Sequence, residues 1–198
     1  DVDAALALDA DVVSYMATGD LRPDDAVADM CRILETGMNV VSTSVVSLVY
    51  PPAGDDRLVK MLDAACRKGG TSVFTSGIDP GFANDLLPMT ITGFCERVDA
   101  VRIQEILNYD TYDQAEVLFD TMGFGQALDA EPVLFWPGAV TLAWGGVVQM
   151  IADSLDVELD EIRETHERLP APETFDVAAG TVEKGTTAAL HFEVIGVV

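Results

Sequence analysis

"FTSGIDPGFANDLLP", residues 74–88, sets a sharp turn between an apolar run and a helix-like stretch. Pro80 fixes its own φ, Gly81 supplies permissive backbone, and Asp79, standing before a proline, is pushed away from α geometry. Turns of this kind at the carboxyl end of a strand are where open α/β sheets bind ligands. Upstream, "ADVVSYMATGD" (10–20) reads as a buried strand and "RPDDAVADMCRILETG" (22–37) as a helix. In that helix Pro23 stands at the start, Asp24 and Asp25 fall in the first turn, and Gly37 lies past the end. Val27, Met30, Cys31 and Leu34 share one face at helical spacing. "MNVVSTSVVSLVYP" (38–51) reads as a second apolar strand and "DDRLVKMLDAACRKGG" (55–70) as a second helix. "TSVFTSGIDPGF" (71–82) is then a third strand. This β-α-β-α-β order at short spacing predicts a parallel sheet of the doubly wound kind.

Beyond the turn the pattern changes. "NDLLPMTITGFCE" (84–96) reads as a helix that Pro88 kinks or restarts, and "VDAVRIQEILNYDTY" (98–112) switches to a period of two, as in a strand. "QAEVLFDTMGFG" predicts a short helix and "AVTLAWGGVVQMIADSLDV" (139–157) a longer buried one. "ELDEIRETHERLP" and "TFDVAAGTVEKGTTAALHFEVIGVV" read as strands with a hairpin turn at Lys184-Gly185. The expected fold class is α/β: the second half of a Rossmann-type parallel sheet over residues 1–80, then an α+β domain over 81–198 with a mixed or antiparallel sheet. The opening "DVDAALALDADVVSY", which lacks Met, and the uncapped closing strand "AALHFEVIGVV" suggest a fragment cut from a longer chain, incomplete in its second domain.

Thirty-four acidic against eleven basic residues give a net charge of -23, which argues against nucleic-acid or anionic-membrane partners. Cys31, Cys66 and Cys95 form no CxxC and read as buried thiols of a reducing compartment. No signal peptide or membrane-length apolar run is present, so a soluble, cytoplasmic protein is expected.

The dinucleotide fingerprint GxGxxG is absent; "GFGQAL" (123–128) has the wrong third position and no preceding strand. Candidate cofactor contacts lie instead at three strand ends. Ala17, Thr18 and Gly19 offer backbone and a small surface for a nicotinamide ribose, or form an ordinary turn capped by Asp20. Ser44 closes the next strand, and Gly77, Asp79, Pro80, Gly81 and Asn84 follow the third. Three successive strand ends of small polar residues indicate a nucleotide-binding α/β domain.

"GIDPGFANDLLP", "VDAVRIQEILNYDTY" and "MGFG", in that order, resemble the dihydrodipicolinate reductase-like superfamily, and more closely the 2,4-diaminopentanoate dehydrogenase and amine dehydrogenase family. The carried residues are Gly77, Ile78, Asp79, Pro80, Gly81, Phe82, Asp85, Leu87 and Pro88, with "ADVVSYMAT", "GMNVVSTS" and "YPP" in the expected order. The resemblance implies a two-domain homodimer using NAD or NADP. Hydride would pass between the nicotinamide and a small-molecule carbon bearing an amine, imine or carbonyl. Two departures stand out. The family carries a Glu on the loop before "YP", whereas "TSVVSLVYPP" has no acid. Dihydrodipicolinate reductases proper use paired histidines and a Lys, whereas His166 and His191 are far apart, which speaks against that reaction.

Asp79 is therefore the leading candidate for acid/base or amine anchor, set against a role in capping its own turn. Asn84 could reach the carboxamide or cap the following helix. Tyr50 could donate a proton or simply pack. Tyr109 and Tyr112, on alternate sides of a strand, could line the substrate pocket. Trp136 and Trp144 read as core or subunit-interface residues, and His166 as part of an exposed strand, with no metal expected. The alternative to catalysis is a family member that kept nucleotide binding but lost turnover, serving as a sensor or interaction module.

Overall fold

The computed structural model describes residues 2–198. A short helix α1 (Val2–Leu6) leads into strand β1 (Val12–Tyr15), helix α2 (Pro23–Glu35), strand β2 (Asn39–Ser42), helix α3 (Asp56–Gly69) and strand β3 (Val73–Thr75). The three strands form a parallel sheet in the order β1-β2-β3, with Val13 opposite Val40 and Val40 opposite Val73. The β-α-β-α-β expectation is met.

Local chemistry explains the helices. Pro23 starts α2, Asp24 and Asp25 complement its positive end, and Gly37 follows it at φ +98°. Asp55 caps α3 by accepting the Arg57 N–H at 2.8 Å, and Gly70 closes it in the left-handed region. Val27, Met30 and Leu34 of α2 are fully buried against Leu58, Leu62 and Ala65 of α3. Burial of each large apolar chain contributes about 1.5–3 kcal/mol. The two helices touch backbone to backbone: a Cβ at Gly69 would lie 1.9 Å from the Leu34 carbonyl oxygen. The opposite side of the sheet leaves Val12, Val41 and Phe74 exposed.

The expected second strand is shorter than 38–51. It ends at Ser42. Val45 then takes φ +61°, and 3₁₀ turns run over Val46–Val49 and Pro51–Ala53. Helix α4 (Leu86–Thr92) contains Pro88 as its third residue, where a backbone N–H has no intrahelical partner, so no kink or restart is needed. The strand expected over 98–112 is absent: that segment carries no regular structure, with Ile106 and Leu107 exposed. Period-two alternation favours a strand only when a partner edge accepts it, and here none does. The short helix expected near 116 is a π-helical stretch, Glu116–Thr121.

Helix α5 (Ala139–Ser154) matches the long helix expected, but it is only partly buried: Val140, Gly145, Val147 and Ala152 face inward while Leu142 is exposed. Strand β4 (Glu161–Pro170) pairs antiparallel with β7 (Thr187–Val197), and β5 (Phe175–Val177) pairs with β6 (Gly180–Val182). The Lys184-Gly185 turn therefore joins two different sheets instead of closing a hairpin; the hairpin turn lies at Ala178-Ala179. Helix α5 packs on β7 and also reaches the 3₁₀ turns after β2, so it ties the antiparallel part to the parallel sheet. Its amino end is held by Glu164 of β4. One carboxylate oxygen accepts the Gly138 N–H at 2.7 Å, and the other accepts the Thr141 N–H and hydroxyl at 2.7 and 2.8 Å. Burial alone would raise the Glu164 carboxyl, but these donors outweigh it and hold the group below its ordinary range.

Candidate active site

The turn after β3 is built from its own hydrogen bonds. Phe82 N–H donates to the Gly77 carbonyl (3.0 Å), Ala83 N–H to Ile78 (2.9 Å), and the Asn84 and Asp85 N–H groups to Gly81 (3.0 and 2.7 Å). The Asp79–Pro80 peptide is cis. Gly81 sits at φ +146°, and a Cβ there would lie 2.3 Å from the Gly77 nitrogen, so only glycine fits. The buried Asn84 locks the loop: its Oδ1 accepts the Gly81 N–H at 2.8 Å and its Nδ2 donates to Asp79 Oδ1. The cap of α4 is Asp85, which accepts the Leu86 N–H, and not Asn84.

Asp79 Oδ1 accepts a second donor from far along the chain, the indole Nε1–H of Trp144 in α5 at 2.6 Å. The Trp144 ring packs on Phe192 of β7 with centroids 4.8 Å apart. Glu105, in the irregular 98–112 segment, hydrogen-bonds to Asp79. That bond, then burial, then repulsion from the Asp79 charge push the Glu105 carboxyl up to about 7. Glu105 thus holds its proton toward neutral pH against the neighbouring Asp79 carboxylate. Burial pushes the Tyr109 phenol up, helped by the charges of Glu105 and Asp79. Tyr112 meets Tyr109 edge-on, with centroids 5.6 Å apart, in a turn closed by the Tyr112 N–H on the Tyr109 carbonyl (3.1 Å). The two rings are thus neighbours, and not on alternate sides of a strand. Phe124 lies against Tyr109 at 5.7 Å.

Tyr50 is engaged elsewhere. Its hydroxyl donates to Asp153 of α5, which keeps the phenol protonated and the Asp153 carboxyl low. Gly146 of α5 lets the Tyr50 Cβ approach within 3.6 Å of where its own Cβ would stand.

The strand ends are tied side by side. Ser44 Oγ donates to the Ala17 carbonyl at 2.5 Å, Ser42 Oγ to Tyr15 at 2.9 Å, and the Ser76 N–H to Ser42 at 3.0 Å. Gly19 is buried here, since a Cβ would stand 2.2 Å from Ser44 Oγ. Asp20 accepts the Val46 N–H at 2.8 Å. The small residues are therefore demanded by packing between strand ends, and Ala17 and Thr18 remain exposed. Val45, β-branched and buried at positive φ, is a backbone outlier of the kind held at functional loops.

His166 stacks on Phe135 at 4.3 Å with a 16° tilt, and among the described residues no three His, Cys, Asp or Glu side chains gather as a metal site. Glu105 and Trp144 are the residues that sequence reasoning passed over for this site. Glu105 carried a faint signal, a lone acid between Ile103 and Ile106; Trp144 carried none, being 65 positions from Asp79.

No family model matches the chain. An amine dehydrogenase of Streptomyces virginiae is 41% identical over 203 residues, covering 100% of this chain and 55% of the relative. A 2,4-diaminopentanoate dehydrogenase of Acetoanaerobium sticklandii is 32% identical over 93 residues, covering 47% of this chain and 26% of its own length. The chain thus spans about half the length of the first of these relatives. The solved structure of an amine dehydrogenase from Mycobacterium smegmatis superposes with a TM-score of 0.66 at 15% identity, covering 94% of this chain and 54% of that one, which shows a shared fold. The chain is thus a homologue of proteins named amine dehydrogenase and 2,4-diaminopentanoate dehydrogenase, and it shares its fold with a solved amine dehydrogenase.

Proposed function

We propose that the protein is an NAD- or NADP-dependent oxidoreductase acting on the carbon that bears a primary amine. The observation that carries this is the Asp79–Glu105 carboxyl pair, fixed beside the carboxyl ends of three parallel strands by Trp144 and Asn84. The names of the two relatives support the amine as substrate class. The exposed Ala17 and Thr18 after β1 and the Gly77–Gly81 turn after β3 stand at the carboxyl ends of parallel strands, the place where open α/β sheets take a dinucleotide, which supports nicotinamide binding there. A nicotinamide bound there supplies the hydride acceptor.

The chain's own groups then have defined work. An ammonium substrate binds the two carboxyls, which otherwise repel each other, and displaces the proton that Glu105 holds. Asp79 or Glu105 accepts one proton from the ammonium nitrogen as the carbon loses hydride, leaving an iminium. Water hydrolyses the iminium to a carbonyl compound and ammonium. In this reading the pair stands in for the acid that "TSVVSLVYPP" lacks. Tyr109 and Tyr112 form an aromatic wall beside the pair that favours an apolar substituent. The exposed Leu142 of α5 and Leu169 of β4 support pairing of two copies through the antiparallel sheet.

The test is amine oxidation by the full-length gene product, followed as NADH or NADPH formation with primary amines of graded size. Amine-dependent formation that falls at least about 100-fold in Asp79→Asn supports the assignment. Unchanged turnover in that variant removes Asp79 from the chemistry.

A further inference from the structure

We propose that Trp144 is the positioning residue of the Asp79 carboxylate, its indole N–H fixing which oxygen of Asp79 faces the substrate amine. The part concerning substrate rests on the amine reading above. Trp144 Nε1 lies 2.6 Å from Asp79 Oδ1, the oxygen that also receives the Asn84 amide. An indole can only donate, and so can an amide NH₂, so Oδ1 is kept as an acceptor and cannot carry the pair's proton. The second oxygen is thereby left for Glu105 and for an incoming ammonium.

The indole and the helix that carries it are both held in place. Its ring rests on Phe192 at 4.8 Å, Glu164 fixes the amino end of α5, and the Tyr50–Asp153 contact fixes the carboxyl end. Donor and acceptor thus sit on separately braced elements, and the bond between them sets the angle of the carboxylate. The titratable groups around it are Glu105 on Asp79, Tyr109 with Tyr112 beside it, and His166, the cross-strand partner of Phe192, which stacks on Phe135. Trp136 offers an internal control, because its Nε1 donates to the uncharged Glu131 carbonyl at 3.1 Å.

The experiment reads the indole directly and needs no turnover. In ¹⁵N-labelled protein, the Trp144 indole resonance, assigned with Trp136→Phe, is followed from acid to alkaline pH. It is expected to titrate with the carboxyl pair at about 7, to stop titrating in Asp79→Asn, and to shift its midpoint in Glu105→Gln, while Trp136 stays flat. A pH-invariant Trp144 resonance overturns the proposal. A second arm compares amine oxidation in Trp144→Phe and Phe192→Leu, where the latter keeps the N–H and loses only the ring contact. Trp144→Phe is expected to move the acid limb of kcat/KM upward by about one pH unit and to raise the amine KM about tenfold, with Phe192→Leu leaving the limb in place. Equal movement of the limb in both variants makes Trp144 a packing residue and also overturns the proposal. Absence of all amine turnover would sink the functional reading instead, and the indole titration would still decide the role of Trp144.

Discussion

Replacing Glu105 by Gln removes one member of a carboxyl pair whose repulsion costs the fold. The Glu105 carboxyl ionises at about 7 in the folded chain against an ordinary 4.5. Between those two values the folded state binds more protons than the unfolded one, so stability falls as pH rises through that window. The contribution is fully present below about pH 4.5 and is gone above about pH 7. The offset alone corresponds to about 3 kcal/mol. Glu105 is solvent-exposed, however, and screening brings the expected difference down to on the order of 1 kcal/mol. Urea unfolding of wild type and Glu105→Gln at pH 5, 6, 7 and 8 measures it. The variant is expected to gain on wild type by about 1 kcal/mol between pH 5 and pH 8, and Asp79→Asn to abolish most of that pH dependence. A difference between wild type and Glu105→Gln that stays constant across the series would refute the proton held by Glu105.

Gly69→Ala places a methyl group against the Leu34 carbonyl and is expected to cost about 1–3 kcal/mol, read as a Tm lowered by several degrees. Glu164→Gln weakens the cap on α5 and is expected to cost about 1 kcal/mol at neutral pH. Because the folded carboxyl lies below its ordinary range, that penalty should shrink as pH falls and wild-type Glu164 itself becomes protonated, which denaturation at pH 3 and pH 7 checks. The Thr187 hydroxyl is fully buried with no hydrogen-bond partner, so Thr187→Val should leave Tm unchanged or raise it; a fall of several degrees would show that the hydroxyl is satisfied.

The parallel layer was legible because its signals are local. Pro23, the acidic first turn and Gly37 mark α2, and helical spacing of Val27, Met30 and Leu34 marks its buried face. The turn at Asp79–Pro80 announced itself through Pro80 and Gly81 for the same reason, although nothing in the sequence marked its peptide as cis. What failed depended on distant partners. Residues 98–112 alternate like a strand, yet no edge pairs with them, and "STSVVSLV" leaves the sheet at Ser42 because Val45 turns into the left-handed region. The pairing of β4 with β7, which skips the β5–β6 hairpin, is likewise a long-range choice that no turn residue encodes. The site divides along the same line. Asp79 stood out by its place before proline, whereas Trp144 meets it only through the packing of α5 and Glu105 only through the path of the irregular 98–112 segment.

The most direct test of the amine assignment is reductive amination by the full-length gene product. NADH and NADPH absorbance would be followed with a panel of ketones and aldehydes, with and without ammonia. Consumption that requires ammonia and yields the corresponding primary amine is expected. Consumption that proceeds equally without ammonia, or none at all while cofactor binds, would contradict it.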